Sequence, residues 1–151
     1  MKLNAYKSLA ATVMIHFFIM FALTYVGVAR VDHIYPNLNR FYMAIIMVAP
    51  MVILMMIFMQ HMYKNRRLNL LLYSVSTVIF VGSFFAIRAQ TLVGNEQFLK
   101  SMIPHHSIAI KTCDNAQFDD PEISELCEQI VEAQQREINQ MEDILKRLDE
   151  D

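Results

Sequence analysis

Three stretches of this chain, residues 8–29, 41–62 and 68–87, each run for about 20 residues without a formal charge. That is the length an α-helix needs to cross roughly 30 Å of hydrocarbon. Inside lipid every backbone N–H and C=O must find its partner in the protein, so a helix is the form such a stretch takes. A cleavable signal peptide has an apolar run of at most about 15 residues, shorter than the first stretch. The sequence therefore predicts three transmembrane helices, and this limits the fold more than any other feature.

Charge divides the 151 residues into two parts. Residues 1–94 carry eight basic residues and one acid, Asp32, whereas residues 95–151 carry five basic residues and 14 acids. The expected organisation is a membrane anchor over 1–94 and an acidic helical domain over 95–151. Lys2 and Lys7 precede the first span, and Lys64, Arg66 and Arg67 separate the second from the third; the first loop has Arg30 and Arg40 opposed by Asp32. The positive-inside rule then puts the N-terminus in the cytoplasm and everything after about residue 90 outside. This predicts a multi-pass membrane protein with its C-terminal domain on the outer side.

The second span holds Met43, Met47, Met51, Met55, Met56, Met59 and Met62. At about 100° per residue all but Met56 fall within an arc of about 160°. Thioethers suit Cu(I), so the stripe is a candidate ion path; Met is also a flexible filler of irregular contacts, which is its commoner role. His16 in the first span is a candidate because ionisable groups in membranes are costly, or it is a neutral ring bonded to a neighbouring helix. His33 falls in a loop, where the sequence assigns it no role.

From Asn95 the pattern becomes charged and helical. Asn95 suits an N-cap, and Phe98, Met102, His106, Ala109 and Cys113 recur at steps of three or four. Pro104 removes a backbone hydrogen bond and is expected to bend this helix just before the His pair. Residues 114–120 read as a turn; Asp120 then caps a second helix with Pro121 at its first position, running to about Leu148. Its seam is Cys127, Ile130, Gln134, Glu137, Met141 and Ile144, and the polar Gln134 and Glu137 call for partners on the first helix. A short turn makes the two helices an antiparallel hairpin. Counted from the turn, His105 and His106 lie opposite residues 130–134, to within about one helical turn.

One face thus offers Met102, His105, His106, Cys113, Cys127, Gln134, Glu137 and Met141. Imidazole, thioether and thiolate donors together favour copper over hard cations. Adjacent histidines point about 100° apart on a helix, so either the site is bent or one ring faces water. The two Cys are equally a disulfide of an oxidising compartment or small core residues. No Glu-x-x-His pair occurs in this half, which argues against di-iron chemistry. Nothing resembles a nucleophile with its base or a phosphate-cradling Gly loop, and so acidic a domain does not suit nucleic acid.

The strings Phe98-Leu-Lys-Ser-Met102-Ile-Pro-His105-His106-Ser-Ile-Ala109-Ile110, Pro121-Glu-Ile123 and Ala133-Gln134-Gln-Arg-Glu137-Ile138-Asn-Gln-Met141 resemble a bacterial family. It is the domain-of-unknown-function family numbered three hundred and five, placed in the ferritin superfamily, and the resemblance covers about residues 95–148. It implies a secreted or periplasmic setting and copper binding or resistance, with Met102, His105, His106 and Met141 as ligands. One departure stands out: where the family has a Met two residues after Ala-Ile, this chain has Thr112, with Cys113 beside it. Family members often carry two hairpins in one four-helix bundle, whereas this chain has one. A lone hairpin cannot cover its apolar face, so a homodimer that completes the bundle is expected, with ligands from both copies. The expected function is non-enzymatic: Cu(I) bound on the outer hairpin for sequestration, resistance or hand-over to a periplasmic copper-handling protein. The alternative is a membrane-tethered protein-interaction module with a structural His pair.

Overall fold

The computed structural model describes residues 2–150, with side chains from Ala5 onward; the Lys2 side chain behind the expected orientation lies outside the described residues. Five α-helices follow one another: α1 Lys2–Leu23, α2 Leu38–Phe58, α3 Arg66–Arg88, α4 Asn95–Asn115 and α5 Pro121–Glu150. A single turn of 3-10 helix, Val31–His33, lies between α1 and α2, and no strand occurs among the described residues. The all-α expectation holds. Three of the helices, α1 to α3, are long and apolar enough to cross a membrane. Phe18, Phe58, Leu70 and Val78 stand exposed on them, which suits a lipid surround better than water.

The chain forms two compact units. The first holds residues 2–24 and 39–91, the three long apolar helices. Leu9, Val52, Met56 and Tyr63 are its buried cluster, with Met55, Met59 and Leu72 packed against it. Met56, the one Met outside the predicted stripe, is almost completely buried, whereas Met43, Met47 and Met62 are exposed. One end is tied by polar bonds. Tyr6 donates to Asn69 Oδ1 at 2.7 Å, Asn69 Nδ2 donates to the Tyr63 carbonyl at 2.7 Å, and Asn65 caps α3 by accepting from the Leu68 N–H at 3.2 Å. At the other end the Arg40 guanidinium donates to the Thr24 carbonyl, a group that the end of α1 leaves without a helical partner.

The second unit holds residues 25–38 and 92–150. Leu99, Ile103 and Ile110 of α4 pack with Ile138, Met141 and Leu145 of α5. Asp120 caps α5 as expected, its Oδ1 accepting from the N–H of Glu122 at 2.8 Å and of Ile123 at 3.3 Å. The N-cap of α4 is Gly94 rather than Asn95, one residue earlier than the sequence implies.

Two differences from the sequence reading bear on the site. The first apolar helix stops at Leu23, six residues before the expected end, because the chain turns there and docks on α4. Tyr25 and Val28 are buried in that docking. At Gly27 a Cβ would lie 3.3 Å from Ile108 Cγ1, so the backbone approaches α4 as closely as a side chain would allow. The second difference follows: residues 25–38, expected to belong with the anchor, are part of the hairpin's unit. Both segments of that unit must lie on one side of any membrane the three helices cross. Three crossings would place them there.

This path is testable with single cysteines, since the described cysteines are both disulfide-bonded. Val31→Cys and Leu92→Cys, at exposed positions, should react with an impermeant maleimide from one face of sealed vesicles, and Lys64→Cys only from the other. Labelling of Val31→Cys and Lys64→Cys from the same face would contradict three crossings.

Candidate functional site

Pro104 has no N–H to offer the Lys100 carbonyl four residues before it. The expected bend is not a break: α4 runs as one helix from Asn95 to Asn115. The orphaned Lys100 carbonyl instead accepts a hydrogen bond from Asn37 Nδ2 at 3.1 Å, supplied by the α1–α2 loop. Immediately after Pro104 come the two histidines. Their roughly 100° separation on the helix leaves His105 exposed and turns His106 into the crevice between α4 and α5, with 12% of its side chain exposed. The ring centroids are 5.9 Å apart and the planes inclined by 60°.

His106 Nδ1 lies 3.0 Å from Glu137 Oε2 on α5. The approach is off the line of a straight N–H···O hydrogen bond, so the contact is mainly electrostatic. Gln134 Nε2 donates to the same carboxylate oxygen at 3.3 Å. Both polar residues of the α5 seam are thereby engaged, and the partner reached is His106, one helical turn beyond the register counted from the turn. A carboxylate beside Nδ1 favours the tautomer protonated there, which leaves the Nε2 lone pair free for a ligand. Burial holds the His106 pKa below the ordinary imidazole value; the Glu137 charge opposes that shift and His105 adds to it.

The sequence reading passed over the polar centre on the other flank of α4. Ser107, fully buried, accepts a hydrogen bond from the Ala29 N–H at 2.9 Å and lies 2.9 Å from His33 Nδ1. His33 is 3% exposed, and burial is the main reason its pKa is lowered, with Glu142 and Asp32 opposing and Arg30 reinforcing the shift. No local pattern announces a contact between residues 74 apart. Pro104 was the one available signal, because it required a donor for Lys100.

The expected ligands part company in the structure. Cys113 and Cys127 are joined as a disulfide with Cα atoms 5.4 Å apart. This corrects their assignment as thiolate ligands: in the disulfide neither sulfur carries the charge a soft metal would bind. Met141 is a buried member of the α4–α5 core, and Met102 packs against that core while remaining partly exposed. Among the described residues no group of three or more His, Cys, Asp and Glu is placed to hold a metal ion. What one chain presents is His105, His106 and Met102 within about one turn of α4, with Glu137 behind His106. By type, two imidazoles and a thioether suit a soft ion better than a hard one.

An all-helical chain with three helices long and apolar enough to cross a membrane and a disulfide-closed hairpin defines the class. Within it, the chain belongs to the family described as Domain of unknown function (DUF305), whose family model matches residues 86–145. It is 38% identical over 112 residues to an uncharacterised protein of Acanthamoeba polyphaga mimivirus, covering 72% of this chain and 71% of that relative. An alignment of that length exceeds the whole stretch from Leu92 to Asp151, so the likeness takes in part of the apolar helices. No solved structure matches the chain.

Two outcomes follow for the metal-free protein. Above about pH 6.5, the unfolded imidazole value, His33 is neutral both folded and unfolded, so the stability of its unit is fully present. As pH falls below that value the unfolded chain takes up a proton that the buried ring resists, and stability declines until pH has passed the lowered folded-state pKa. Denaturant melts across pH 7.5 to about pH 5 should show this loss, and His33→Asn should reduce it, leaving the part that His106 contributes. Reducing the disulfide, which closes a 14-residue separation, should lower the stability of the same unit by about 3 kcal/mol, read as a shift in its melting midpoint.

Proposed function

We infer that this is a non-enzymatic, multi-pass inner-membrane protein that binds Cu(I) on a periplasmic hairpin, for sequestration, resistance or hand-over to another copper-handling protein. The observation that carries this reading is His106, with Nδ1 against Glu137 and Nε2 left as the donor. Metal-binding histidines commonly have such a carboxylate behind the ring, where it fixes the tautomer and raises basicity. Burial helps by disfavouring the imidazolium, which could not bind metal. His105 and Met102 complete the donor set; Glu137 serves as the orienting carboxylate and Met141 as core.

The N-terminus is cytoplasmic in this reading. The disulfide supports the placement of the hairpin, since such bonds persist in oxidising compartments. A second copy completes a four-helix bundle. Phe98, Ile123 and Leu126 remain about half exposed on the hairpin, and burying them against a partner copy would remove that apolar surface from water. The competing reading, an interaction module with a packed His pair, draws on the same burial of His106.

Titration of the detergent-solubilised full-length protein with Cu(I) against a competing chelator, with Zn(II) as control, separates the two. Tight stoichiometric Cu(I) uptake is expected. It should be lost in the double variant His105→Ala with His106→Ala, while melting behaviour and oligomer size stay as in the wild type. Undiminished binding by the double variant would remove the site from α4, and absence of binding by the wild type would favour the interaction module.

A further inference from the structure

We propose that the α1–α2 loop, residues 25–38, is a positioning element of the His105–His106 site, gripping α4 on either side of the pair. The inference rests on the copper reading and deepens it by naming residues far from the hairpin sequence that set the ligand geometry.

The first grip precedes the pair. The Lys100 carbonyl, left without its helical partner by Pro104, accepts from Asn37 Nδ2 at 3.1 Å. Asn37 is itself buried, and its amide also donates to the Tyr35 carbonyl at 2.8 Å, so its orientation is set within the loop. Next to it the Leu38 N–H donates to Gln97 Oε1 at 2.9 Å. The second grip follows the pair. Ser107 Oγ accepts the Ala29 N–H, and because a backbone N–H can only donate, the hydroxyl hydrogen is free to point at His33 Nδ1. That arrangement has His33 neutral, with its proton on Nε2.

Ser107 is fully buried and His33 nearly so, so water cannot replace these bonds if α4 turns or slides. Any such movement strands buried donors and acceptors at once. His106 is the residue before Ser107, and a helix fixes the angle between them at about 100°. Whatever holds Ser107 in azimuth therefore holds His106 as well. The close packing of Gly27 on Ile108 adds a steric stop one residue further on. Outer partners that hold ligands in place typically contribute about 10–100-fold to metal affinity. By linkage, an ion that prefers the gripped geometry stabilises the docked loop by the same factor. The stretch matched by the family model, residues 86–145, does not contain this loop, so the complete site belongs to the chain with its spans.

The test compares Cu(I) competition titrations of full-length wild type, His33→Ala, Asn37→Ala and His33→Asn. Each Ala variant should bind about tenfold more weakly, with unchanged stoichiometry. Cu(I) should slow hydrogen exchange at the Ala29 amide in the wild type and not in His33→Ala. His33→Asn keeps an acceptor near the place of Nδ1 and should recover most of the affinity, an outcome that general loss of fold would not produce. Wild-type affinity in both Ala variants overturns the grip and leaves the copper reading standing; so does a His33→Asn protein as weak as His33→Ala. A wild type that takes up no Cu(I) overturns the copper reading, and the positioning role with it.

Discussion

Hydrocarbon offers a backbone no partner but the protein's own, and three helices long enough to cross it decide which parts of this chain can meet. With three crossings, the loop after α1 and the hairpin after α3 emerge on one side, and the loop after α2 on the other. The second unit exploits that parity, since it is assembled from residues 25–38 and 92–150. Two crossings would have left the loop and the hairpin on opposite sides, and Ser107 and Lys100 without the partners they have.

Polar bonds, rather than apolar burial, do most to define the loop's seat on α4. The α4–α5 contact is an ordinary core of Leu99, Ile103, Ile110, Ile138, Met141 and Leu145, which tolerates small shifts at modest cost. The loop instead sets Asn37 against the Lys100 carbonyl and the Ala29 N–H against Ser107 Oγ, and offers His33 Nδ1 to the Ser107 hydroxyl. Such bonds add little net energy when made and cost more when one partner is stranded. They therefore serve to select one placement of the helix. The two histidines sit between the two anchoring points, with Glu137 behind one of them.

The hairpin was legible because its signals are local. Asp120 followed by Pro121 marks a helix start that depends only on neighbouring residues, and the steps of three and four in α4 and α5 are set by helix geometry. The register was legible to about a turn: the count from the loop reached Gln134, and the contact is with Glu137. The disulfide stood as one of three readings, beside thiolate ligands and small core residues, because helix geometry brings Cys113 and Cys127 close without deciding whether they bond. Pro104 was half a signal. It announced that Lys100 would lack a partner, and the helix continued because Asn37, 63 residues earlier, supplied one. His33 gave no signal, since its role depends on Ser107, 74 residues away.

By itself the sequence determined the number of apolar helices, the acidic hairpin and the residue types on its face, because each follows from periodicity or length within a single segment. The family likeness was legible for the same reason, being carried by short strings around the His pair and along α5. Only the tertiary structure decided which donors stay available: it closed the two Cys into a disulfide, sank Met141 in the core and left His105 exposed. It alone moved residues 25–38 from the anchor to the hairpin's unit. Those outcomes depend on buried polar groups finding partners far along the chain, and a requirement for a partner is written in sequence while the partner's identity is not.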